Sequence, residues 1–93
     1  MQPAQAIGTF KVLAAEVVAE LELAVAKRDE RYPNADVALR NVRQWLTLAH
    51  EGKLPGSYRP DFAVYRSELD FGPVEQRMYD LQTLYVEHIR DAG

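Results

Sequence analysis

The reading turns on Phe10-Lys-Val-Leu-Ala-Ala-Glu-Val-Val-Ala-Glu-Leu-Glu-Leu-Ala-Val-Ala-Lys27. The run contains neither Gly nor Pro and is rich in strong helix formers. At about 100° per residue, Phe10, Ala14, Val17, Leu21 and Ala24 fall on one side, broadened by Ile7, Val18 and Val25. That side is an ordinary core face. The opposite side carries a second apolar stripe of Val12, Ala15, Ala19, Leu23 and Ala26. Lys11 and Glu22 separate the two stripes on one flank, and Glu16, Glu20 and Lys27 on the other. A helix apolar on two sides is usually buried on two sides, and an intramolecular three-helix packing covers only one. The second stripe therefore implies a partner. Its small residues allow another helix to approach closely, and the simplest supplier is the same helix of a second copy in a two-fold dimer. The competing reading makes Ala a mere helix former on an exposed face, with the segment 53–72 covering Val12 and Leu23.

Outward from this run, the helical pattern extends from about Ala4 to Glu30, with Pro3 suited to its start and Tyr32-Pro33-Asn34 to its stop. A second helix is expected from Ala35 to Glu51. Asn34 serves as N-cap, Asp36 lies in the first turn and Gly52 is at the residue past the C-terminal cap. Its inner face reads Ala35, Leu39, Val42, Leu46 and Ala49, flanked by Ala38 and Trp45, with Arg40, Arg43, Gln44 and Thr47 outside and Asp36 paired to Arg40. A third helix is expected from Pro73 to Asp91, burying Val74, Met78, Leu81, Tyr85 and His88, with Leu84 and Ile89 at the margins and Tyr79 and Val86 outside. The intervening connection of about 20 residues is long for a small domain. Phe62, Tyr65 and Leu69 recur there at helical spacing, which favours a short fourth helix from Pro60 to Asp70. The expected fold is all-α: three main helices plus a short fourth in a small helical bundle, residues 1–93 forming a single dimeric domain.

Composition bounds the function. A chain of 93 residues with 47% hydrophobic and 27% charged residues has the make-up of one folded domain. The net charge of −3 and pI near 5.3 disfavour general affinity for nucleic acid or anionic membrane. No cysteine is present, so disulfides, thiolate nucleophiles and thiolate-bound metals are excluded. No basic leader precedes an apolar run, and none approaches the roughly 18 residues needed to span a bilayer, so a cytoplasmic location is expected.

Chemistry-bearing motifs are absent. His50 and His88 stand alone on different helices without metal-ligand spacing, and Ser57 and Ser67 lie in no nucleophile motif. No glycine-rich phosphate loop occurs and no cofactor is implied. Residues 35–59 hold four basic side chains against two acidic, while residues 60–93 hold three against seven. The loop Leu54-Pro-Gly-Ser-Tyr-Arg-Pro-Asp-Phe62 brings Tyr58, Arg59 and Phe62 together, residue types that dominate binding hot spots. The alternative has Tyr58 and Phe62 capping the open end of the helices.

These features point to a small non-enzymatic regulator or inhibitor that binds another protein stoichiometrically and self-associates through its first helix. Its contact residues are Val12, Ala15, Ala19, Leu23 and Ala26, with Tyr58, Arg59 and Phe62. Two other classes remain. A nucleic-acid-binding regulator would use Arg40, Arg43, Lys53 and Arg59, although no helix has the net basic charge of a recognition helix. An all-helical enzyme with an intersubunit site would draw on His50, His88, Arg40 or Arg43 and a carboxylate.

Overall fold

The computed structural model describes residues 2–54 and 70–90. Every regular element among them is helical: α1 (Pro3–Lys27), α2 (Ala35–His50) and α3 (Glu75–Leu84). A 3-10 turn (Gly72–Val74) leads into α3 and a π turn (Tyr85–Ile89) prolongs it. The Cα radius of gyration is 12.9 Å, against about 12 Å for a compact chain of this length. The fourth helix expected from Pro60 to Asp70 and the loop residues Tyr58, Arg59 and Phe62 lie outside the described residues, apart from Asp70 itself.

Helix α1 begins at Pro3, whose missing N–H costs nothing at a first position, and the Gln5 side chain accepts the Gln2 N–H at 3.2 Å. It ends three residues before the expected Glu30. Arg28 turns left-handed (φ 51°), its N–H meets the Val25 carbonyl at 3.2 Å, and the Asp29 N–H reaches back to Ala24 at 3.0 Å. This is the double closure that usually recruits glycine. Asp29 then holds Arg31 through its backbone N–H at 3.0 Å and its guanidinium at 2.7 Å. Those hydrogen bonds, the guanidinium first, draw the Asp29 carboxyl from 3.8 down to about 2.

Asn34 stands at the α2 N-cap as expected, but its side chain caps nothing. It adopts φ 56°, and its Nδ2 donates to the Asp70 carbonyl at 2.9 Å, tying the α1–α2 loop to the approach of α3. Gly52 does close α2: at φ 69° it allows Gly52 N–H to Ala49 (3.2 Å) and Lys53 N–H to Leu48 (2.8 Å).

The core gathers Phe10, Ala14, Val17, Leu21 and Ala24 of α1, all buried as expected, with Ala6 and Val18. Val25 is instead 40% exposed, at the edge of that face. On α2 the buried stripe is Ala38, Val42, Trp45 and Ala49 with Leu39, so it is centred one position before the expected one and Ala35 and Leu46 are only partly covered. Leu54, Phe71 and Val74 complete the core with Met78, Leu81, Tyr85 and Ile89.

Ile89 corrects the expected stripe, which had placed His88 inside. The Arg90 N–H reaches the Tyr85 carbonyl, five residues back, at 2.7 Å. This wider turn takes up an extra residue, so the position one turn after Tyr85 is Ile89. His88 is left half-covered, 3.9 Å from Glu87.

Candidate functional site

All five residues of the second α1 stripe are exposed. Val12 is 62% and Leu23 56% accessible, the two largest exposures among the bulky apolar side chains of the described residues, and Ala15, Ala19 and Ala26 lie between and beyond them. Two shallow grooves run along this face. One is lined by Gln5, Gly8, Thr9, Val12, Leu13 and Glu16. The other is lined by Ala15, Val18, Ala19, Glu22, Leu23 and Ala26, with Leu46 of α2 as its far wall. The α1 residues are brought together by helical period, since steps of three and four return to one side.

The two flanks differ. Glu22 pairs loosely with Arg43 of α2 at 3.5 Å, with both side chains about half exposed, whereas Lys11 has no ion-pair partner among the described residues. On the other flank Glu20, one of the charged residues that separate the two stripes, is a hub. Arg77 of α3 grips its two oxygens at 3.1 and 2.6 Å, and the Tyr32 hydroxyl donates to it at 3.0 Å. The Arg77 hydrogen bond is the main reason the Glu20 carboxyl titrates below its usual range. Glu20 in turn raises the Arg77 guanidinium and the Tyr32 hydroxyl. The hub pins α3 and the α1–α2 loop beside the stripe.

The remaining candidates are scattered. Arg43 and Lys53 each lie beside a carboxylate, Glu22 and Glu51, and no Asp36–Arg40 ion pair forms among the described residues. His50 ends α2 in solvent and His88 faces Glu87. No group of three His, Asp or Glu residues suited to a metal occurs among the described residues. None of their helices is long and apolar enough to cross a membrane.

Comparisons with protein-family models, with curated proteins and with solved structures found no match to this chain. The outer face of α1 therefore stands on its own chemistry. Its grooves are apolar apart from Gln5, Thr9, Glu16 and Glu22 at their rims. Covering such a surface is favourable because it removes apolar side chains from water. Sequence reasoning passed over Gly8, which lines the first groove. The available signal was a glycine inside an otherwise unbroken helical run, where it is disfavoured against alanine.

Proposed function

We propose that this chain is a homodimer joined through the outer face of α1 and acts stoichiometrically as a small protein-binding regulator or inhibitor, meeting the other protein through a helical or loop surface. The observation that supports this reading is the exposure of Val12 and Leu23 on a stripe otherwise made of alanine. With each side chain already partly covered by its own helix, full burial of either contributes on the order of 1 kcal/mol. Two copies double that contribution, and close approach across alanine adds dispersion contacts. The loop residues Tyr58, Arg59 and Phe62 belong to the same proposal as a second contact region.

The test is the solution molar mass by light scattering across a dilution series, for the native chain and for Ala19→Glu. Ala19 centres the stripe, is exposed, and tolerates a helix-forming substitution without touching the core. The expected result is a dimer for the native chain and a monomer of equal helix content for the variant. An unchanged mass in the variant overturns the assignment of this face.

A further inference from the structure

We propose that the second copy packs antiparallel on α1 with the two-fold axis between Ala15 and Glu16, so that Leu23 of each copy seats over the partner's Gly8. This rests on the reading of the α1 face as a self-association surface and commits it to one register. The face has two projecting side chains, Val12 and Leu23, and four positions where little projects, Gly8, Ala15, Ala19 and Ala26. Val12 and Leu23 are eleven residues apart, and so are Gly8 and Ala19, and Ala15 and Ala26. Reversing one helix against the other therefore seats both knobs over small residues in two registers: Val12 and Leu23 meet the partner's Ala19 and Gly8 about an axis between Ala15 and Glu16, or the partner's Ala26 and Ala15 about an axis at Ala19, and Gly8 decides for the first.

Gly8 is the independent observation. It lies within α1, and a Cβ built on it meets no atom within 4 Å. Among the described residues neither a turn nor a close neighbour calls for glycine there, and glycine weakens a helix interior. A leucine arriving from outside does call for it. One pair of opposite charges agrees with the same register. Lys11 comes within two residues, about 3 Å along the axis, of the partner's Glu22, and the two-fold repeats the contact. Lys11 has no ion-pair partner among the described residues, and the Glu22–Arg43 contact is loose enough to be shared. The two Glu16 carboxylates approach one another at the solvent edge of the same interface. Glu16→Gln should accordingly tighten association severalfold.

Because the chain has no cysteine, an introduced thiol reports the register directly. Facing positions in a close helix pair come within disulfide reach. Under mild oxidation of the full chain, Ala15→Cys should crosslink readily. Ala19→Cys should crosslink at least tenfold more slowly, since the two copies of residue 19 stand seven residues, about 10 Å, apart along the axis. Gly8→Leu should weaken the dimer at least tenfold while raising helix content. The reverse crosslinking preference, or a Gly8→Leu dimer of native affinity, overturns this register and leaves self-association standing. A native chain that is monomeric at all concentrations by light scattering overturns both.

Discussion

Gly72 is the residue the fold can least exchange. It takes φ 65°, and a Cβ there would run into the Arg31 carbonyl oxygen, with the Pro33 ring close behind. Its N–H is held by Asp70 at 2.9 Å. Gly72→Ala should cost about 1–2 kcal/mol for the left-handed backbone alone, and more for the collision, read as a drop in the midpoint of thermal unfolding. Glu20 matters through its charge. Its carboxyl titrates lower when folded than when unfolded, so the stability it supplies is present above the ordinary carboxylate range and is lost as pH falls through it. Asp29 adds a loss of the same sign between about 4 and about 2. Thermal midpoints should therefore be flat near neutrality and fall on acidification. Glu20→Gln should lower the neutral midpoint by about 1 kcal/mol of stability and make the acid decline shallower; a decline as steep as in the native chain would contradict this assignment. Nothing local in the sequence marks Arg77 as the partner of Glu20, because 57 residues separate them.

At the scale of elements, α1 and α2 were legible because apolar period, Pro3 and Gly52 all agree with the observed helices. The end of α1 was not, because the left-handed position that closes it carries Arg28 rather than glycine. Asn34 gives the cap position correctly, yet its amide is spent on Asp70, a contact that exists only once α3 arrives. The end of α3 was misread for a different reason. Periodicity assumes one uniform helix, and a single wider turn moves every later side chain round by one place. Ile89→Ala should thus cost about 2–4 kcal/mol, while His88→Ala should stay within about 0.5 kcal/mol. Denaturant titration of the two variants separates the alternatives, and equal costs would restore the uniform helix.

For the molecule as a whole, α1 turns one apolar side into the core and leaves an opposite apolar side exposed. Ala14, Val17 and Leu21 face the core, while Ala15, Ala19 and Leu23 face outward across the same backbone. The sequence showed both stripes, because both follow one period; it could not show that the outer one is exposed. Trp45 makes this division observable without any label. It is the sole tryptophan, fully buried on α2 against the inner side of the core. Its fluorescence should be blue-shifted in the folded chain and move to the red on unfolding. Substitutions on the outer stripe should leave it where it is. A single emission band thus tells a change at the outer surface from loss of the fold, and each surface variant arrives with its own internal control.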